Sequence, residues 1–450
     1  MSVTHQLHRL TPKASDALER ERAWWRGRRV AVWGAARTGI AAAKLLHALG
    51  AQVTLSDAKE ADALPEIKTL PQEVTLALGA PNQVGDAELV IPSPGLKPTH
   101  PLITSARERG VRVMSEIELG ARVCAAPIIA ITGTDGKSTT TLLITEALRA
   151  QGLWAQAVGN IGDPLANWAL SAPASGVLVV EISAFQLWST TTLNAQVGVI
   201  TNIVDDHLDY FDGDAIAYRD AKLRLAELLS PSAPLLYTPV ALRLDQLLTH
   251  EPPLDVALTP YELPATPIES TLLGAHNQLN LSAALTVIQL LGLDEERARQ
   301  RFITFQPLPY RLTRSRSLDG VTYLNDSKAT NVHAAMVGIK SLSGELIVIT
   351  GGYEKGLDLA EWLDLLTARA RLVLTIGQTG ARISQALDAR DVTCVSCVEL
   401  EVAVREAARC ARAGDTVVLS PAASSFDQFS SYEARGATFD LLVSQLLSRL

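Results

Sequence analysis

The sequence has little of several things that mark large protein classes. Four cysteines in 450 residues are too few for a disulfide framework, which fits a reducing compartment. Cys394 and Cys397 form a lone C-x-x-C, with Cys124 and Cys410 standing singly. A zinc site needs a second pair, so a structural role is expected. No apolar run approaches the roughly 20 residues that span a bilayer. Residues 1–29 mix Arg20, Arg22, Arg26 and Arg28 with Asp16, Glu19 and Glu21 and hold no apolar stretch, so no conventional signal peptide is expected. Positive charge is in deficit: 40 Lys and Arg face 48 Asp and Glu, a net charge of −8. That argues against a broad nucleic-acid surface; an anionic ligand must be small and held by local basic groups. Heptads, internal repeats and low-complexity tracts are also missing. What remains is an ordinary globular chain, expected in the cytoplasm and too long for one core. At about 150 residues per domain, roughly three domains are expected.

The richest stretch runs from Ile128 to Thr141 and has the layout of a buried strand, a glycine turn and a helix start. Gly133 and Gly136 allow backbone N–H groups to approach an anion, Lys137 suits phosphate charge, and the Ser138 hydroxyl suits a magnesium ion at the helix N-terminus. The motif is shorter than the full Walker pattern, because Ile131 stands where its first glycine belongs. A second phosphate-type turn, Gly34 to Gly39, follows a strand at Val30–Trp33 and opens a helix that Gly50 stops. Asp57 lies about 20 residues on, where an acid takes a ribose hydroxyl in dinucleotide folds. Ala36 replaces the glycine that admits a pyrophosphate, so NAD is disfavoured and another ligand on the same βαβ frame is plausible.

Polar clusters recur at predicted strand ends, the edge where α/β sheets bind ligands. They are Pro92 to Gly95, Gly159 to Gly162, Glu181 after the strand Val177–Val180, and Asp205-Asp206-His207 after the strand Val197–Ile203. Two acidic strand ends in one nucleotide domain suggest a metal site. A helix is expected over 214–229; its Lys222 reads most simply as a solvent-facing charge. Another helix opens at His276 and ends near Gly292. Beyond the proline-bearing connector at 307–311, strands at 321–324, 345–350, 372–376, 392–394 and 416–419 alternate with helices. Their ends carry 325–331, 351–355 and 420–428.

With these motifs in order, the chain resembles the Mur ligase family, the ATP-dependent amide-forming enzymes of peptidoglycan precursor synthesis, over essentially its whole length. Gly133-Thr134-Asp135-Gly136-Lys137-Ser138-Thr139 is the family-wide loop, shared with folylpolyglutamate synthase. Glu181 to Gln186, Asn325 to Asn331 and Ser420 to Gln428 resemble the D-glutamate-adding branch.

The resemblance implies an α/β fold of three domains: a Rossmann-like uridine-nucleotide domain at 1–117, a central P-loop ATPase domain with a mostly parallel sheet at 118–307, and a Rossmann-like amino-acid domain at 308–450. It implies ATP, two Mg2+ ions, a carbamylated Lys222, and UDP-N-acetylmuramoyl-L-alanine and D-glutamate as substrates of a monomer. L-glutamate, another amino acid, or a folylpolyglutamate-synthase-like reaction are the alternatives. Lys137, Glu181, His207 and Lys222 would be catalytic, with Ser138, Glu181, His207 and Lys222 at metal. ATP would meet the loop residues 133–139 and Asn277, Asn280, Arg311 and Asp326. Thr38, Asp57, Ser93 and Asn160 would meet the uridine substrate, and Lys328, Thr330, Lys355, Ser425 and Tyr432 the amino acid. Asp135 departs from the usual asparagine and puts negative charge beside phosphate, unfavourable unless a cation or hydrogen bond offsets it. Tyr432 stands where phenylalanine is usual.

Overall fold

The computed structural model describes residues 10–204, 206, 210–239, 255–272, 274–354 and 358–448. The chain forms two compact units, one of Met1–Glu269 with Gln278–Phe305, the other of Ser270–Asn277 with Gln306–Leu450.

The first unit holds two sheets. Strands β1 (Arg29–Trp33), β2 (Gln52–Asp57), β3 (Thr75–Leu78), β4 (Leu89–Pro92) and β5 (Arg112–Val113) form an all-parallel sheet in the order β3-β2-β1-β4-β5. Strands β6 (Ile128–Thr132), β7 (Ala155–Gly159), β8 (Val177–Glu181), β9 (Val197–Ile200), β10 (Ala233–Tyr237) and β11 (Val256–Pro260) form a second parallel sheet, β11-β10-β9-β6-β8-β7. In both, chain order reverses beside the first strand, which opens a crevice at the strands' carboxyl ends. β6 and β8 are buried at every position, which is why they read as unbroken apolar runs. One hydrophobic cluster runs through both sheets, from Trp25, Leu46 and Leu55 to Ile128, Val180 and Leu235. A second joins Ala31 and Trp33 to Ala184, Trp188 and Tyr218.

The second unit is a six-stranded sheet of β12 (Thr313–Leu318), β13 (Val321–Asn325), β14 (Leu346–Thr350), β15 (Ala370–Ile376), β16 (Cys394–Val398) and β17 (Thr416–Leu419). Its order is β12-β13-β17-β14-β15-β16, and only β12 runs antiparallel. Apolar clusters lie on both faces. The two arginines of β12 suit an edge strand, where charge discourages further pairing.

Several boundaries differ from the sequence reading. β9 ends at Ile200 rather than 203: the Thr201 N–H makes a last bond to Thr132 O, and the Thr201 hydroxyl and Asn202 then turn to the phosphate loop. The helix expected over 214–229 is α-helical only over Ala215–Leu223, where the Asp214 carboxylate accepts from the N–H groups of Ile216 and Ala217, and it tightens to a 3₁₀ turn over Arg224–Leu228. The strand expected at 392–394 is displaced to Cys394–Val398. Among the described residues no helix is long and apolar enough to cross a membrane.

Candidate active site

Three adjacent strands aim their carboxyl ends at one place: β6 delivers the phosphate loop, β8 delivers Glu181, and β9 delivers Thr201 and Asn202. Gly136 caps the helix Lys137–Ala150 in the left-handed conformation, φ +79°. A Cβ there would stand 2.5 Å from Asn280 Oδ1, so the turn demands glycine for both backbone and space. Asn280 in turn accepts from Thr140 Oγ1 at 3.2 Å, which brings this sequence-predicted residue onto the loop. The Thr134 and Asp135 N–H groups donate to Asn202 O and Oδ1, both at 2.9 Å, while Thr201 Oγ1 donates to Asp135 O at 2.5 Å. The loop is thus held by its backbone from one side. Lys137 Nζ donates to Thr134 O at 2.7 Å, poised over the turn.

Glu181 is 1 % exposed. Its Oε1 accepts from Asn160 Nδ2 at 2.8 Å, and its Oε2 is buried with no hydrogen-bond partner among the described residues. A carboxylate oxygen left in that state is costly, and a cation would satisfy it. Lys222 corrects the sequence reading of a solvent-facing charge: it is 2 % exposed, and its Nζ donates to Gly133 O at 2.6 Å. Burial holds its pKa well below the ordinary lysine value; Lys137 pushes the same way, and Asp206, Asp135 and Glu181 oppose them. The Asp135 backbone, rather than its carboxylate, is what the loop contacts engage: its N–H donates to Asn202 Oδ1 and its carbonyl accepts from Thr201 Oγ1. His207 lies outside the described residues, as does Asp205. Among the described residues no group of three or more His, Cys, Asp or Glu could hold a metal ion.

In the first sheet, Asp57 is committed to the fold. Its Oδ2 accepts from Ala35 N at 2.7 Å and its Oδ1 from Lys59 N at 2.9 Å, so the carboxylate fastens the turn after β1. Ala36 has φ −84°, so its side chain brings no backbone strain. Gly39 is required by contact, since a Cβ would lie 1.8 Å from Gly34 O. Thr38 sits in the first turn of the helix Arg37–Ala48, and Ser93 lies across from Gly34 at the switch between β1 and β4. Arg37, which nothing in the sequence marked, donates to Gly162 O at 3.1 Å and so ties this helix to the loop carrying Asn160.

In the second unit Asp326 is buried and its carboxyl is pushed up to about 7 by burial, against the pull of Arg311 and the Leu312 N–H. Lys328 Nζ lies 5.3 Å from the Tyr432 ring centroid and 3.4 Å from its hydroxyl, a partner that phenylalanine would lack. Ser425 is buried and its carbonyl accepts from Phe429 N at 2.8 Å. Thr330 follows in the same turn, its N–H donating to Lys328 O at 2.9 Å. Asn277 is buried near the start of the helix Ala275–Leu290. Lys355 lies outside the described residues. Arg435, missed from the sequence, is 1 % exposed and welds two of these segments: Nη2 donates to Ser327 O at 2.9 Å and Nη1 to the carbonyls of Ala423 and Ser424 at 3.1 and 3.2 Å.

Comparison with known proteins bears on this arrangement along almost the whole chain. Residues 28–115 match the Mur ligase MurD-like N-terminal domain, 131–241 the Mur ligase middle domain, and 310–423 the Mur ligase glutamate ligase domain. A UDP-N-acetylmuramoylalanine--D-glutamate ligase of Chloroherpeton thalassium is 35 % identical over 94 % of this chain and 99 % of its own length. The chain belongs to the Mur ligase family. The enzyme of the same description from Nitratidesulfovibrio vulgaris strain Miyazaki F is 37 % identical over 94 % and 97 % of the two chains. The crystal structure of the UDP-N-acetylmuramate-alanine ligase of Thermotoga maritima superposes with a TM-score of 0.57 over 93 % of this chain and 99 % of that one, at 14 % identity, a likeness of fold. The middle-domain match of this Mur ligase spans the phosphate loop, Asn160, Glu181 and Lys222, the residues that the second sheet gathers at its carboxyl edge.

Proposed function

We propose that this Mur ligase joins D-glutamate to UDP-N-acetylmuramoyl-L-alanine at the expense of ATP, in the cytoplasm and as a monomer. The observation that carries the reading is the meeting, at one sheet edge, of an anion-binding loop, a buried carboxylate with an unsatisfied oxygen and a desolvated lysine. Relatives above 30 % identity that carry this activity in their names support the choice of substrates.

An amine does not displace oxide from a carboxylate at a useful rate, so the carboxylate must first be activated. In the proposed reaction the terminal alanine carboxylate attacks the γ-phosphorus of ATP, the bond to the β-phosphate oxygen breaks, and ADP leaves. The glutamate nitrogen then attacks the acyl phosphate carbon, loses a proton, and phosphate departs as the amide forms. The loop N–H groups and Lys137 hold the charge of the transferring phosphoryl group. Two Mg2+ ions would be held by Ser138 and Glu181 and by His207 and Lys222; when bound they neutralise phosphate charge. Lys222 fits as a carbamate, since only a neutral amine adds to carbon dioxide and burial favours that form. His207 is the group to accept the amine proton where a metal does not claim it.

Each reactant has its own stretch of chain in this reading. Residues 1–117 take the uridine nucleotide through Thr38 and Ser93, with Asn160 near the sugar and peptide end; the Asp57 carboxylate serves by fixing the turn. Residues 118–307 take ATP through the loop 133–139, Asn277 and Asn280. Residues 308–450 place Arg311 and Asp326 at the nucleotide, and Lys328, Thr330, Lys355, Ser425 and Tyr432 at the incoming amino acid. The test is phosphate release from ATP with UDP-N-acetylmuramoyl-L-alanine, scanning D-glutamate, L-glutamate, other amino acids and folate acceptors. Release confined to D-glutamate is expected; release with another acceptor alone would replace the reading.

A further inference from the structure

Tyr210 faces two ways and stands between the turn after β4 in the first sheet and the phosphate loop of the second. Toward the first sheet, the Tyr210 hydroxyl lies 2.5 Å from Leu96 O and 3.0 Å from Pro94 O, and it accepts from Trp188 Nε1 at 3.0 Å. Because the indole can only donate, the phenol proton is directed to the two carbonyls. Those carbonyls belong to the turn Ser93–Leu96, closed by Leu96 N donating to Ser93 O at 3.0 Å, with Gly95 N 3.3 Å from Ser93 Oγ. Toward the second sheet, the Tyr210 ring packs on Phe185 with centroids 4.1 Å apart and on Phe211 at 5.1 Å. Phe211 meets Tyr218 at 5.6 Å, and the Tyr218 hydroxyl is 2.9 Å from Thr134 Oγ1 of the phosphate loop.

Two residues on, Asp212 holds the chain just past that turn, accepting from Lys97 Nζ at 2.8 Å and Thr99 Oγ1 at 2.7 Å. The side chains of that ion pair are 52 % and 40 % exposed, so water and salt screen it. Tyr210 is buried, and its bonds are the ones that orient the turn. Burial also pushes the phenol up to about 12, which keeps its proton in place throughout the neutral range.

We propose that Tyr210 is a positioning residue for the uridine-nucleotide site: by drawing the Pro94 and Leu96 carbonyls to one side, it holds the turn so that the Ser93 hydroxyl, which accepts from the Gly95 N–H, stays beside Gly34 at the crevice between β1 and β4. This rests on the proposed function, in which Ser93 meets the uridine substrate. Tyr210 touches no substrate and acts through the turn.

The Tyr210→Phe variant keeps the aromatic packing and removes only the hydroxyl. The expected result is a rise of about tenfold in KM for UDP-N-acetylmuramoyl-L-alanine, the scale of one or two lost buried hydrogen bonds. KM for ATP and kcat at saturation are expected to stay within about twofold, and the Gly95 and Leu96 amides to exchange faster. Asp212→Asn, which weakens only the screened grip, is expected to change KM less than about twofold. A merely structural role would instead raise both KM values and lower the melting temperature. That outcome, or a Tyr210→Phe enzyme with unchanged uridine KM and unchanged exchange, would overturn the assignment while leaving the proposed function standing. Wild-type protein that turns over no uridine nucleotide would overturn both.

Discussion

Lys222 shows how far one residue's chemistry depends on where the fold puts it. Its ammonium loses solvation by burial and faces Lys137, so the neutral amine is favoured. Lys222→Ala is expected to lower turnover by at least about 100-fold, with partial recovery on adding acetate or formate as a replacement carboxylate. Full activity of the alanine variant would sink the carbamate. Glu116 is a second buried group with a measurable consequence. Its Oε1 accepts from Ala166 N at 2.6 Å, its Oε2 has no partner among the described residues, and burial pushes its carboxyl from 4.5 up to about 7. Between those values the folded protein keeps a proton that the unfolded chain releases, so stability falls as pH rises through the window, by about 3 kcal/mol in the limit. Glu116→Gln is expected to be more stable than wild type by about 1–3 kcal/mol at pH 8. The gap should nearly close at pH 5, and denaturant unfolding at the two values reads it.

At the scale of elements, the phosphate loop works because its neighbours are strand ends. Thr201 and Asn202 hold the loop backbone after leaving β9, and Asn280 closes on Gly136 from a helix far along the chain. Gly136→Ala meets both a left-handed φ and the 2.5 Å approach of Asn280 Oδ1, a strain of about 1–3 kcal/mol concentrated on the loop. The variant is expected to lose at least about tenfold in kcat/KM for ATP while uridine-nucleotide binding measured by titration is unchanged. Equal loss at both ligands would mean that the loop is not a separate element.

For the whole molecule the informative feature is the continuous core of the first unit. Val30 and Leu55 of the first sheet and Val180 and Leu235 of the second belong to one buried cluster, so neither sheet keeps its apolar face without the other. Calorimetry is expected to show the two sheets melting in a single transition, raised by the uridine substrate and by Mg-ATP alike. Two transitions, each answering to one ligand, would contradict this.

Read from the chain alone, the strands β1, β6, β8, β13, β14 and β17 and the phosphate loop were legible, because buried parallel strands are unbroken apolar runs and the loop needs glycine, lysine and serine at fixed spacing. The strands β3, β10, β11 and β12 were not read: β12 alternates arginine and serine on an edge and has no apolar signature, while the short apolar runs of β3, β10 and β11 do not by themselves distinguish strand from helix. The same limit applied to side chains. Lys222 looked like a surface charge, Asp57 like a free ribose acceptor, and Arg37, Tyr210 and Arg435 like nothing in particular, because periodicity says which face a residue takes and not what faces it. Local sequence determined the elements and the chemistry of the loop, through short-range sterics and hydrogen bonding. Only the tertiary structure decided which charges lose their water and which carbonyls a buried hydroxyl or guanidinium must satisfy, since those partners lie tens to hundreds of residues away.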